Sequence, residues 1–354
     1  QDLRCAIMVP GAYKEGFYVG FDGHLGPSAQ NFATSVTDDS SGSEAVTATV
    51  VGTLGNGGNK AVMVKQVFVM TEQSHWVNVS VEIENTGSET ITDVRYVRST
   101  DPDNTRDMGG GYSTTQKVLG TIPADGRAIV TATSYVPDSY SYASGGKPLI
   151  FAYSSTDPAA IGSFGLSGLA PAGLWDERLS PAGAPSRDAS YSADAWIGIA
   201  FDKAMLPPGG RWAFDYELGF LSEEPELPPP VTTTTSTSTA TTTSWTTSTP
   251  TTSSTDSATT TSWFNYTVGL RHASQDGEVF LGNKYIELGI RSNGQFGADA
   301  HPMPPGFYGR QSSRPRIGMI TDMDGFLSGQ DLRCAIMVPG AYKEAFCVGF
   351  DGHL

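Results

Sequence analysis

What this chain lacks narrows its identity before any motif is read. No apolar run approaches the roughly 18–20 residues needed to cross a bilayer, and no stretch has the charged-then-apolar layout of a secretory leader. A segment from the middle of a larger precursor would carry no leader of its own. Basic residues are scarce: 22 Lys and Arg stand against 37 Asp and Glu, for a net charge of −15. That balance repels nucleic acid and anionic membrane surfaces, so neither is expected as a partner.

The signatures of catalysis are missing too. None of the five histidines (His24, His75, His272, His301, His353) stands in HExxH spacing. The segment Gly162-Ser163-Phe164-Gly165-Leu166-Ser167-Gly168 comes near a nucleophile elbow without completing GxSxG. No GxGxxG or phosphate loop follows a strand-like run. Carboxylate pairs are numerous, but a chain this acidic places adjacent pairs on solvated surfaces. The expectation is a protein that is not an enzyme and has no certain cofactor. With three cysteines and no CxxC or Cys/His spacing, zinc is not expected either.

What is present is a repeat. Residues 1–25 read QDLRCAIMVPGAYKEGFYVGFDGHL, and residues 330–354 read QDLRCAIMVPGAYKEAFCVGFDGHL. They differ only at Gly16 against Ala345 and Tyr18 against Cys347, at a spacing of 329 (330 − 1). A match this long is not chance, so the chain reads as one full repeat plus the start of the next, cut from a tandem array. A cloning duplication is the alternative, but it would not turn Tyr18 into Cys347.

The body reads as all-β. Charged residues are only 17% of the chain, while 41 Gly, 22 Pro and abundant Ser and Thr imply many turns and short strands rather than long helices. Residues 45–54 and 60–70 form strand-like runs around the turn signal Gly55-Asn56-Gly57-Gly58-Asn59. Residues 76–84 alternate without a break, with Val77, Val79, Val81 and Ile83 on one face and Asn78, Ser80, Glu82 and Glu84 on the other. Residues 85–88 then turn the chain and 91–98 return it. Further strands are expected at 128–135, 149–153, 196–201 and 212–220, the last two joined by Leu206-Pro207-Pro208-Gly209-Gly210. The segment 154–192 reads as loop. Such meandering strands predict a β-sandwich.

The sequence changes character after residue 222. Residues 223–230, EEPELPPP, favour polyproline II. In residues 231–262, 26 of 32 are Ser or Thr, with Asp256 the lone charge and Trp245 the lone aromatic. Such a tract buries too little apolar surface to offset its ordering entropy. Dense hydroxyls interrupted by Pro are the mark of O-glycosylated stalks. Candidate acceptors are Thr232, Thr233, Thr234, Thr235, Ser236, Thr237, Thr241, Thr242, Thr243, Thr246, Thr247, Thr251, Thr252, Thr259 and Thr260. An unmodified flexible linker is the alternative. The organisation expected is therefore a β-rich body over 1–222, a Pro then Ser/Thr-rich linker over 223–262, and the opening of the next body over 263–354. In that opening, 264–270, 278–281 and 285–290 read as strands, Asn293-Gly294 as a hairpin turn, and 317–320 as a strand leading into the repeated segment.

Other candidate sites are weaker. Asp101, Asp103 and Asp107 with Asn104 gather oxygen ligands in one loop, which suits Ca²⁺, and Asp322 and Asp324 repeat the idea in miniature. Neither completes the EF-hand pattern, and Asx residues in turns also bond their own backbone. The sequons at Asn78 and Asn265 are candidate N-glycosylation sites. In the second copy, strands at 332–338 and 345–350 would set Cys334 opposite Cys347, either as a cross-strand disulfide or as two buried thiols. In the first copy Tyr18 takes that place.

The succession FLGNKYIELGI, GFYGR, IGMITDMDGF and QDLRCAIMVPGAYKE, followed by NVSVEIENTGSETITDVRYVRSTDPDN, resembles a repeat unit of very large secreted proteins of aquatic microbes. The Thr-rich tract is similar to those of glycan-coated extracellular fibrils. The resemblance covers residues 263 onward and 1 to about 104. It implies a surface or extracellular architecture and no reaction. The repeat, the linker, the acidity and the missing active site together read as a structural filament subunit that self-associates with other copies and carries covalent glycans. A carbohydrate-binding adhesin, with Trp175, Trp196 and Trp212 as sugar platforms, is the competing class. A glycan-processing enzyme is the third.

Overall fold

The computed structural model describes residues 15–25, 33–41, 44–55, 59–102, 113–135, 148–165, 175–227, 269–298, 304–307 and 319–321. Over these residues the chain is all-β, with one short 3₁₀ turn at Glu177–Leu179. In chain order the strands are β1 (Glu15–Phe21), β2 (His24–Leu25), β3 (Ala33–Asp38), β4 (Ala45–Gly55), β5 (Ala61–Thr71) and β6 (Trp76–Asn85). They continue as β7 (Ile91–Thr100), β8 (Thr114–Gly120), β9 (Ala128–Tyr135), β10 (Pro148–Ser155), β11 (Ile161–Phe164) and β12 (Ser190–Ala193). The last six are β13 (Ile197–Leu206), β14 (Arg211–Leu221), β15 (Arg271–Gln275), β16 (Glu278–Gly282), β17 (Ile286–Ile290) and β18 (Met319–Thr321).

Three antiparallel sheets result. A nine-stranded sheet runs β12-β8-β9-β10-β14-β6-β5-β4-β3, a five-stranded sheet runs β11-β13-β7-β1-β2, and a four-stranded sheet runs β15-β16-β17-β18. The five-stranded sheet packs over the β8, β9, β10 and β14 part of the long sheet, and β15 and β16 pack over β3 and β4. All three sheets share one continuous apolar core.

The alternation in β6 is the clearest local cause of this arrangement. Val77, Val79, Val81 and Ile83 are 0%, 0%, 1% and 0% exposed, whereas Asn78 and Ser80 face water. The period of two fixes which face is core, because a one-residue slip would bury the polar set. β4 and β5 alternate the same way and pair along their whole length, as the turn signal between them predicts.

Two connections differ from the meander expected from sequence. β7 does not return beside β6; it crosses to the five-stranded sheet and pairs with β1 and β13. Likewise β13 and β14 sit in different sheets rather than forming a hairpin. Both links are arches over one end of the sandwich, and Asn85 pins them together. Its amide nitrogen donates to the carbonyls of Glu89 (2.8 Å) and Leu206 (2.9 Å), and its backbone N–H donates to Gly210 O (3.0 Å). The stretch expected to be loop between 154 and 192 also contains β11 and β12. The outer face of the five-stranded sheet is covered by a second apolar cluster of Val97, Ile161, Leu179, Trp196 and Ala200. β7 is therefore enclosed on both faces, which is why its last five residues are all buried.

Candidate functional site

The feature with most chemistry is the seam where the four-stranded sheet closes over the body. From below, β16 and β17 present Val279, Leu281, Ile286, Leu288 and Ile290, each at most 1% exposed, to the shared core. Five such side chains, at about 1.5–3 kcal/mol each when fully buried, give on the order of 10 kcal/mol of gross apolar stabilisation. The sheet carries its own interior on the far side. There Arg271 and Glu287, both buried, form an ion pair at 3.1 Å beside Phe280 and Phe307, whose rings are tilted against each other.

Polar contacts then fix how the sheet sits. Asn283, fully buried in the turn between β16 and β17, donates through Nδ2 to the carbonyls of Thr71 (2.7 Å) and Ser74 (2.8 Å) on the body. Its Oδ1 accepts from the backbone N–H groups of Tyr285 (2.8 Å) and Ile286 (2.7 Å). Every hydrogen-bonding site on one amide is thus used, half across the seam and half in the turn.

Arg98 occupies the other end of the seam. It projects inward from β7 at 0% exposure and donates to Gln66 Oε1 (3.3 Å) and to Gly294 O (3.1 Å). Its guanidinium lies 4.2 Å from the Phe296 ring centroid and 5.6 Å from that of Phe68, a cation–π arrangement suited to a buried charge. Gln66 Oε1 also accepts from Tyr96 Oη at 2.8 Å. Asn293-Gly294 forms the turn foreseen from sequence, with Gly294 N–H donating to Arg291 O (2.9 Å) and φ at +77°. The tip is wedged tightly: a Cβ on Gly294 would meet Phe17 Cε1 at 2.9 Å and Val50 Cγ1 at 3.0 Å.

At the rim, His272 Nδ1 and Asp38 Oδ2 lie 2.5 Å apart. Burial raises the Asp38 pKa, but hydrogen bonds from His272 and Ser40 and the His272 charge together outweigh it, leaving the carboxyl below its usual value. His75 lies against Tyr285, the rings tilted by 34° with centroids 3.9 Å apart. Its pKa is lowered, first by burial and then by the nearby Lys284 charge.

Of the residues singled out by sequence, Asn78 is exposed on the outer face of β6, and Asp101 is 7% exposed just beyond β7. Asp103, Asp107, Asp322, Asp324, Asn265, the Cys334–Cys347 pair and the Ser/Thr acceptors between Thr232 and Thr260 lie outside the described residues. Two of the three candidate sugar platforms are core side chains: Trp196 is 2% and Trp212 7% exposed. Trp175 is half-buried, and its indole N–H donates to Asp93 with Arg95 over the ring. Among the described residues, no helix is long and apolar enough to cross a membrane. The seam residues Arg98, Gln66 and Asn283 were not signalled by sequence, because buried polar groups in strands and turns look like solvent-facing ones.

No family model matches the chain, and no curated protein matches it. Distant likenesses to solved structures exist. A GH36 alpha-galactosidase from Geobacillus stearothermophilus, in complex with raffinose, is similar at 10% identity and TM-score 0.28, over 59% of this chain and 30% of that one. Proteins assigned as aldose 1-epimerases are similar as well. The one from Klebsiella pneumoniae shows 10% identity and TM-score 0.26, over 50% of this chain and 52% of that one. The one from Escherichia coli K12 shows 11% identity and TM-score 0.25, over 62% and 82%. At these scores the likeness carries no argument about function.

Proposed function

We propose that the chain is a non-catalytic structural subunit of an extracellular filament built from repeats of this unit, with glycans on the Ser/Thr tract. The observation that carries this reading is the 25-residue duplication of 1–25 at 330–354. A sequence that recurs after one full unit is what a tandem array produces, and identical units offer identical surfaces for repeated contact. The Ser/Thr tract between body and C-terminal sheet supports the same reading. With 26 hydroxyl residues in 32 it is suited to carry sugars along the fibre surface. The acidity keeps such a surface soluble without drawing it to membranes or nucleic acid.

Electron microscopy of the native assembly, combined with mass spectrometry of the 231–262 peptide, tests this directly. The expected result is a filament of repeating β-rich units with multiple hexose-type mass increments on that peptide. Monodisperse single units at high concentration, or bare hydroxyls throughout the tract, would overturn it. Turnover on polysaccharides by the purified chain would refute the non-catalytic assignment.

A further inference from the structure

Of the two Asn-x-Ser/Thr sequons, Asn78-Val79-Ser80 lies within the described residues, in the first half of β6. Residues two apart on a strand share a face. Asn78 and Ser80 therefore both stand exposed on the outer side of the nine-stranded sheet, while Val79 between them is 0% exposed in the core. The amide and the hydroxyl that a sequon needs are presented together to water.

The two flanks of Asn78 differ. Toward β14 its cross-strand partner is Glu217, and Trp76, two residues back, lies on Gly219. Arg127 stands over the Trp76 ring and pairs with Glu217, so that side is filled. Toward β5 the partner of Asn78 is Val69 and that of Ser80 is Val67, and beyond them on β4 stand Thr47 and Thr49. These four side chains are half-buried and uncharged. Neighbouring strands lie about 4.8 Å apart, so a sugar attached at Asn78 and leaning that way meets Val69 first and Thr47 next. The C–H face of a sugar ring covers such low apolar relief while its hydroxyls stay in water.

Chain order keeps the acceptor open during synthesis. Glu217 follows Asn78 by 139 residues (217 − 78), so β6 has no β14 beside it when the sequon is made.

We propose that Asn78 carries an N-linked glycan whose first sugars lie over Val67 and Val69 of β5. The transfer joins Asn78 Nδ2 to the anomeric carbon of a lipid-pyrophosphate-linked oligosaccharide. The bond from that carbon to the pyrophosphate oxygen breaks, the lipid pyrophosphate leaves with the electron pair, and the amide gives up one proton. Such a glycan requires passage through a secretory route, as does the reading above, but neither a filament nor sugars on the Ser/Thr tract.

Mass spectrometry of the full chain isolated from its producing cells tests this. Trypsin cuts after Lys65 and Arg95 and so releases a 66–95 peptide with a single sequon. Fragmentation should localise an oligosaccharide to Asn78. A bare Asn78 would overturn the proposal, and would leave the filament reading standing where the 231–262 tract carries its sugars; a bare tract beside a glycosylated Asn78 does the reverse. Ser80→Ala keeps Asn78 but removes the hydroxyl and should abolish the glycan, whereas Ser80→Thr should retain it. Sugar persisting on the 66–95 peptide of the Ser80→Ala chain would overturn the N-linkage. Oxidative surface labelling reads the placement: Val67 and Val69 should gain label when the glycan is lost, relative to Met205 on β13, which is 58% exposed. Equal labelling of the two chains would overturn the cover over β5.

Discussion

Replacing Asn283 separates the two halves of the seam's central hydrogen-bond cluster. Asn283→Asp is nearly isosteric and keeps the oxygen that accepts from the Tyr285 and Ile286 N–H groups, but removes both donors to Thr71 O and Ser74 O. Each lost donor leaves a carbonyl facing a carboxylate in place of an amide, at about 1–3 kcal/mol apiece. The expected cost is thus roughly 2–6 kcal/mol, concentrated on docking of the four-stranded sheet. Asn283→Ala removes all four bonds and leaves all four partners unsatisfied, at the same about 1–3 kcal/mol apiece. It should weaken the turn between β16 and β17 as well. Amide hydrogen exchange reads the difference by element. With tenfold for every 1.4 kcal/mol, the Asp variant should lose at least about 30-fold protection across β16 and β17, with β6 retaining its protection. Protection lost equally in β6 and β17 would show that the sheet and body unfold as one unit and that no separable seam exists. A change under about 1 kcal/mol in both variants would refute the hydrogen-bond account altogether.

Two further outcomes follow from the same geometry. Gly294→Ala must hold a left-handed φ and press a methyl against Phe17 and Val50. At about 1–3 kcal/mol for the strained backbone and a similar amount for overpacking, the denaturant midpoint should drop with the slope unchanged. A midpoint equal to wild type would show that the turn does not sit where described. His75 sets a pH response: its folded pKa lies below the 6.5 of the free side chain, so the unfolded chain binds more protons as pH falls through that value. Its contribution is complete above about 6.5 and lost progressively below it, towards the lower folded value. Asp38, also lowered, contributes fully above 3.8 and stays outside that window. Stability should therefore decline from pH 7.5 to 5.5, and His75→Gln should flatten the decline; parallel curves for variant and wild type would count against His75.

How much of this was legible in the sequence depended on whether a segment had one wet face. β6, with Val and Ile alternating against Asn, Ser and Glu, was read residue by residue, and β4, β5 and the Asn293-Gly294 turn followed from equally local signals. β3, β8, β12 and β15 were not. Their sequences, ATSVTD, TTQKVLG, SYSA and RHASQ, are short or polar, and they are strands because neighbours supply the ladder. Sheet membership was hidden for a different reason. A turn such as Leu206 to Gly210 bends the chain equally well into a hairpin or an arch, and the choice rests on Asn85, more than a hundred residues away. Propensity has no term for that contact.

The polar character of the seam bears on what it is for. A surface closed by Val279, Leu281, Ile286, Leu288 and Ile290 alone would adhere, but apolar contact is non-directional and tolerates several placements of one sheet on another. Arg98 against the Gly294 carbonyl, and Asn283 against two carbonyls at the opposite end, allow one placement only, because a shift by a single residue strands buried donors at both ends. Removing such groups in favour of apolar ones can raise stability, so their presence is better accounted for by register than by strength.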